Sequence, residues 1–400
     1  MNNYQYLILG GGMTAAAAAQ GIREVDPNGS IALISAEDQS PYDRPPLTKK
    51  LWFGKPEEII WRALPKENFE FHAHYRVARL EPQAKRVVGE DGQAFSYEKL
   101  LLATGGSPKR LPFGGNDILY YRTFDDYRQV RGWTGKGARF GVIGGGFIGS
   151  ELAAALAINN EKVVMAFPES GIGAAIYPAD LSQYITSYFR QKGVEVYTGL
   201  NIEDVQPRGD RQVLKGKDGQ EIEVDHVLAG IGIRPNIELA QAAGATIAGP
   251  EAGGGILVDE HLRTSLPDIF AAGDVASFYN PYLQLQMRVE HEDNSNTMGH
   301  VAGLNMAGRP TPYQHQPYFY SDLFDLGYEA VGELSSRLET YSDWKEPYRE
   351  GVVYYLRDGK VRGVLLWNTW DQVEAARNLI ASGQTFSQPS DLKGRLPEKK

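Results

Sequence analysis

Tyr6-Leu7-Ile8-Leu9-Gly10-Gly11-Gly12-Met13-Thr14-Ala15 opens the chain, and Arg139-Phe140-Gly141-Val142-Ile143-Gly144-Gly145-Gly146-Phe147-Ile148-Gly149 repeats its logic further on. In both, a short apolar run meets a three-glycine turn, and an alanine-rich stretch follows at once. The pattern reads as a buried parallel strand, a tight turn and a helix that starts immediately. The first glycine permits the turn, and the second lets backbone approach a pyrophosphate. The third position, Ala15 or Gly149, lets helix pack close to strand. The helix start offers unpaired N–H groups and the positive end of a dipole to phosphate. Each copy continues into a second apolar run, residues 31–35 and 163–167, with an acid just beyond it, Glu37 and Glu169. Such a carboxylate accepts hydrogen bonds from a ribose diol and repels a 2′-phosphate. Two dinucleotide sites are therefore expected, with Glu169 favouring NADH over NADPH at the second.

Working outward, Leu100-Leu101-Leu102-Ala103-Thr104-Gly105-Gly106 and Val227-Leu228-Ala229-Gly230-Ile231-Gly232 read as strands that end in glycine turns and close the two nucleotide units. Ile269-Phe270-Ala271-Ala272-Gly273-Asp274 is a third such strand, so the first domain resumes after the second. Beyond about residue 318 aromatics rise. Residues 351–356 and 361–367 around Asp358-Gly359 predict a hairpin, 371–381 a closing amphipathic helix, and 180–191 another. The expected fold is α/β: two Rossmann-like three-layer dinucleotide-binding domains, the second inserted in the first, plus a C-terminal α+β domain. The expected boundaries are 1–112 with 235–317, then 113–234, then 318–400.

Composition narrows the chemistry. The chain has 400 residues, no cysteine, 42% hydrophobic and 23% charged residues, and a formal charge of −9. Without cysteine there is no disulfide framework, no Cys-ligated zinc or iron–sulfur cluster and no thiol nucleophile. The negative balance argues against nucleic-acid binding. The basic tail, Lys393, Arg395, Lys399 and Lys400, reads as a solvated terminus. No apolar run approaches the ~20 residues of a membrane span, and neither a secretory nor a transit pattern is present. A cytoplasmic protein is expected.

The two glycine motifs, with Ala103-Thr104-Gly105-Gly106 and Ala272-Gly273-Asp274, resemble two-dinucleotide flavoprotein reductases of the glutathione-reductase fold. Pro41-Tyr42-Asp43-Arg44-Pro45-Pro46-Leu47-Thr48-Lys49 resembles a segment of ferredoxin reductases and of apoptosis-inducing factor. Arg288-Val289-Glu290-His291-Glu292-Asp293 looks like apoptosis-inducing factor in particular. So do His315-Gln316-Pro317-Tyr318-Phe319-Tyr320-Ser321-Asp322-Leu323, Gly327-Tyr328-Glu329-Ala330, Tyr355-Leu356-Arg357-Asp358 and Val364-Leu365-Leu366-Trp367-Asn368.

This resemblance implies FAD on the first unit and NADH on the second, with hydride passing from nicotinamide to flavin N5. It implies FAD contacts from Gly10, Gly12, Met13, Thr14, Ala15, Glu37, Arg44, Lys49, Val77, Thr104, Gly105, Arg122, Asp274, Glu290, His291 and Tyr320. For NAD it implies Gly144, Gly146, Phe147, Ile148, Gly149, Glu151, Glu169 and Gly232. Lys49 and Glu151 pair beside the flavin, Phe147 gates the nicotinamide, and Glu290 with His291 begins a helix aimed at the flavin pyrimidine; Lys49, Glu151, Phe147 and His291 form the catalytic set. No metal is implied. Tyr320 stands where the family usually has Trp, and Ala36 displaces the acid by one place to Glu37. The family's targeting segment and long insertions are absent, so chromatin binding and a death function are not carried over.

Two function classes remain open. One is an NADH oxidoreductase that passes electrons to an external acceptor, a ferredoxin, quinone, oxygen or other small oxidant. The other is a redox-responsive protein whose output is a long-lived FADH⁻/NAD⁺ charge-transfer complex or a homodimer formed on reduction. His72 and His74 alternate on an expected strand and could be mistaken for metal ligands, but no third ligand is spaced to join them, and a structural role is expected.

Overall fold

The computed structural model describes residues 2–396, so Lys399 and Lys400 of the expected solvated tail lie outside the described residues. The chain forms two compact units. The first comprises residues 1–44, 57–107 and 234–317, the second residues 45–56, 108–233 and 318–400.

In the first unit the strand Asn2–Leu9 lies between Ile31–Ile34 and Ala94–Leu102, parallel to both. Phe69–His72 extends one side, and Ile269–Ala271 pairs in parallel with Ala94–Leu102. An antiparallel hairpin, Val77–Glu81 and Arg86–Gly89, completes seven strands. Leu9 stands opposite Ile34 and Leu102, so three carboxyl ends finish level. Ligands of such sheets bind beyond those ends. The alanine-rich helix Met13–Val25 packs against Glu292–Met306, and only small residues allow the approach. A Cβ on Gly299 would lie 2.4 Å from the Thr14 carbonyl, and one on Gly303 2.2 Å from that of Ala18.

The second unit repeats the arrangement. Five parallel strands run in the order Glu195–Thr198, Lys162–Phe167, Arg139–Ile143, His226–Ala229, Ile118–Tyr120. A three-stranded antiparallel sheet packs its apolar side, including Val205, Leu214 and Val224, against them. In the same unit residues 318–367 build five antiparallel strands in the order Tyr318–Leu323, Leu326–Gly332, Lys360–Trp367, Glu350–Arg357, Glu339–Glu346. The hairpin expected around Asp358-Gly359 is present in that sheet.

Three local expectations need correction. The last helix begins at Val373, not 371, because Asp371 holds φ +61° and Gln372 caps the helix. His72 ends its strand and His74 lies beyond it at φ +50°, so the two do not alternate on one strand. His74 instead pairs with Asp38 at 2.6 Å, and His72 faces Glu70 at 3.3 Å. Glu290 precedes the helix it was expected to begin; His291 is the N-cap and Glu292 the first helical residue. Among the described residues no helix is long and apolar enough to cross a membrane.

Candidate active site

Both glycine turns are shaped by close backbone approach. Gly10 sits at φ +130° with its N–H on Ile34, and a Cβ there would lie 2.0 Å from the Ala103 carbonyl. Gly144 repeats this at φ +118°, 2.5 Å from the Gly230 carbonyl. A Cβ on Gly149 would strike the Gly144 carbonyl at 2.1 Å, which explains glycine at the third position of this turn. Gly12 and Gly146 differ: a Cβ at either meets nothing within 4 Å. Each is the N-cap of its helix, with no side-chain cap and no acid in the first turn. Bare N–H groups, a positive dipole end and open space over a glycine fit a dinucleotide pyrophosphate at both turns.

Around the first turn the structure gathers several of the expected residues. Gly273 approaches Thr14, which brings Asp274 beside the helix start. Asp274 receives the Ser295 hydroxyl at 3.4 Å, and its carbonyl accepts from Arg288 at 2.9 Å. Thr104 and Asn236 exchange hydrogen bonds of 2.9 and 2.8 Å, fixing the turn through Gly105. Ser35 accepts the Glu37 N–H at 3.1 Å, a local turn that carries the displaced acid past the strand end. The Glu37 carboxylate then takes Arg44 at 2.5 Å and the Tyr42 hydroxyl at 2.6 Å. Burial alone would lower the Arg44 guanidinium, but Tyr42 and Glu37 beside it hold it firmly charged, above its ordinary value. Val77 opens the antiparallel hairpin. Glu290 is exposed and paired with Arg288 at 2.6 Å. His291 is held down to about 4 by burial, against the pull of Asp274 and Asp293. It is therefore a neutral imidazole at neutral pH.

The second unit contains a buried ion pair. The 45–53 segment is anchored there by Tyr121 and Trp52, which donate to the Leu47 carbonyl at 2.5 and 2.6 Å, and by Asn159, which donates to the Trp52 carbonyl at 3.1 Å. Lys49 follows, and its Nζ meets Glu151 Oε2 at 2.6 Å with the two side chains 8% and 4% exposed. Thr48 donates to Oε2 and Ser321 to Oε1, both at 2.6 Å. The Lys49 ammonium also lies 5.2 Å from the Tyr320 ring centre, a cation–π contact at the position where the resemblance usually places Trp. Burial raises the neighbouring Asp322 carboxyl, with Lys49 pulling it back down.

Glu151 stands on the helix that opens at Phe147, one turn in. Phe147 and Ile148 at its start are each 37% exposed, an apolar platform, with Phe147 edge-on to Phe319 at 5.4 Å. Glu169 is exposed just past its strand, and Gly232 holds φ +87°. Arg122 stands before the helix Phe124–Trp133, its N–H on Asp126 at 2.9 Å. Thr48 and Ser321 went unassigned from sequence. Each adjoins an assigned residue, Lys49 or Tyr320, but nothing local reveals that both reach one carboxylate.

Residues 4–299 match the model of the pyridine nucleotide-disulphide oxidoreductase family. Residues 302–346 and 342–382 match the C-terminal domain of mitochondrion-associated apoptosis-inducing factor. The chain belongs to the pyridine nucleotide-disulphide oxidoreductase family. Within it the chain is similar to apoptosis-inducing factor 1 of Dictyostelium discoideum, 36% identical over 98% of this chain and 81% of that protein. It is similar as well to the ferredoxin reductase subunit of a 5,5'-dehydrodivanillate O-demethylase from Sphingobium sp., 32% identical over 96% and 94% of the two chains. Putidaredoxin reductase, solved in covalent complex with putidaredoxin, superposes with a TM-score of 0.88 at 28% identity, covering 96% and 94% of the chains.

These likenesses establish an apoptosis-inducing-factor-like FAD- and NAD(P)H-binding flavoprotein oxidoreductase of the ferredoxin-reductase type. The expected fold class, two dinucleotide-binding domains with a C-terminal sheet domain, holds. Bound FAD would supply two-electron acceptance from the nicotinamide, and the glycine turns fit it and the nicotinamide dinucleotide.

Proposed function

We propose that this protein oxidises NADH and passes the electrons to an acceptor outside the chain, with Lys49, Glu151 and Phe147 serving the flavin. The buried Lys49–Glu151 pair carries this reading. A cation and a carboxylate, both out of water and locked by two hydroxyls, are costly to bury and fit a role in tuning a redox centre. No cysteine exists in the chain to take electrons as a thiol, so a thiol–disulfide route is set aside. Glu169, exposed past the second strand, supports preference for NADH over NADPH. Arg44, Asp274, His291 and the first glycine turn are proposed to hold the FAD, and the second turn with Gly232 the NADH.

Anaerobic stopped-flow reduction with each nucleotide tests this. Faster flavin bleaching by NADPH than by NADH would remove the argument from Glu169. The same trace separates two outputs. A long-wavelength charge-transfer band that persists in air would favour a redox-sensing state, with dimerisation on reduction as its further expectation. Rapid reoxidation by a ferredoxin or quinone would favour an electron-delivering reductase, the reading that the named ferredoxin-reductase and putidaredoxin-reductase relatives support.

A further inference from the structure

One cation beside the second glycine turn has no part in the reading above. Lys109 and Gly232 both belong to the second unit, and the Lys109 N–H donates to the Gly232 carbonyl at 2.9 Å. The lysine side chain lies over the glycine: a Cβ on Gly232 would stand 3.9 Å from Nζ and 4.0 Å from Cδ. Lys109 is exposed, and among the described residues no carboxylate pairs with it. Its neighbour Arg110 lies instead over the Tyr120 ring, 4.8 Å from the ring centre.

The order of the parallel strands decides which part of a dinucleotide this ammonium meets. Lys162–Phe167, Arg139–Ile143 and His226–Ala229 are successive neighbours in the sheet. Beyond their carboxyl ends stand Glu169, the Gly144–Gly146 turn and Gly232, in the same order. The acid suits a ribose diol and the turn a pyrophosphate, so the adenosine half lies toward Glu169. The nicotinamide half then falls on the Gly232 side. A Cβ on Gly144 would lie 2.5 Å from the Gly230 carbonyl, and Gly232 follows two residues on, at most about 7 Å of chain.

We propose that Lys109 makes the second site discriminate between the two redox states of its nucleotide, favouring NADH over NAD⁺. The proposal rests on the reading that the second turn takes NADH. The dihydronicotinamide ring of NADH is neutral; once its hydride has left for the flavin, the ring is a pyridinium of charge +1. Both forms carry the same phosphate charges, so attraction between the ammonium and phosphate does not distinguish them. Repulsion from the ring charge does, and it acts on the product alone. Lys109 thereby loosens the hold on NAD⁺ and speeds its exchange for the next NADH. A contact between exposed charges is worth up to about fivefold in an equilibrium constant.

The test is calorimetric titration of the FAD-loaded full chain with three probes: NAD⁺, ADP-ribose, and 1,4,5,6-tetrahydro-NAD, whose neutral ring gives up no hydride. In Lys109→Gln the ratio of the NAD⁺ Kd to the tetrahydro-NAD Kd should fall by about fivefold. Lys109→Arg should keep the parent's ratio, and Lys109→Glu should lower it further. Added salt should shrink the parent's ratio, because the contact is exposed. If Lys109→Gln weakens all three probes by one factor, the ammonium serves the phosphates and the discrimination is wrong. Gly146→Ala separates the remaining outcomes, since Gly146 has φ −85° and open space over it, so alanine intrudes only where the pyrophosphate is placed. If it weakens all three probes while Lys109→Gln changes none, Lys109 lies outside the site and the reading of the second turn stands. If Gly146→Ala changes none, that reading fails, and the proposal with it.

Discussion

Lys49 and Glu151 make the sharpest case at the scale of single residues, because burial turns an ordinary ion pair into an all-or-nothing arrangement. Removing one partner strands the other charge in a buried site, at a cost of about 3–5 kcal/mol. Lys49→Met should therefore lower the urea midpoint strongly, although Thr48 and Ser321 still hold the carboxylate. Lys49→Met combined with Glu151→Leu should recover most of the loss, since no charge then remains buried. A double variant as unstable as the single one would show that the segment depends on more than the pair.

His291 makes a different demand. Its folded value near 4 lies below the unfolded ~6.5, so the unfolded chain holds the extra proton between those values. Stability is complete above about pH 6.5 and falls as pH drops toward 4, by up to about 1.4 kcal/mol per pH unit. His291→Gln should flatten that part of the stability profile, as followed by urea midpoints. An unchanged slope would mean the imidazole is not kept neutral by the fold.

The two glycine turns separate folding from ligand binding within a single element. Gly10 cannot accept a side chain, because its φ is positive and the Ala103 carbonyl occupies the space. Gly12 has φ −98° and open space, so alanine fits the backbone and intrudes only where a pyrophosphate would lie. Gly12→Ala should give a folded protein of nearly parental stability that retains FAD about tenfold less well, a loss of about 1.4 kcal/mol in binding. Gly10→Ala should instead compromise the fold itself. FAD content after gel filtration, compared with the far-ultraviolet dichroism of each variant, distinguishes the two.

The repeat was legible in sequence because its constraints are local: strand, turn and helix follow one another within about fifteen residues, and periodicity reports them. The ends of elements were less legible. Asp371 and His74 take left-handed backbone that asparagine, aspartate and histidine tolerate but do not announce. The surroundings of Glu151 were illegible beyond Lys49, since Thr48 and Ser321 lie 103 and 170 residues away in sequence. Only the packing of the C-terminal sheet within the second unit brings Ser321 to that carboxylate.

At the scale of the whole molecule, the two dinucleotide turns fall in different compact units, the first beginning at Gly10 and the second at Gly144. A ligand that binds only folded protein stabilises it by about 2.7 kcal/mol at a hundred times its Kd, and the gain falls first on the elements it touches. FAD should therefore slow amide exchange most at the start of Met13–Val25, and NAD⁺ most at the start of Phe147–Ile158. Glu169→Ala should weaken the NAD⁺ protection and leave that from FAD intact, because the carboxylate belongs to the second turn alone. Peptide-resolved hydrogen exchange on parent and variant reads both effects in one experiment. Loss of FAD protection in Glu169→Ala would reverse the order of the sites, and with it the direction in which hydride is proposed to travel between them.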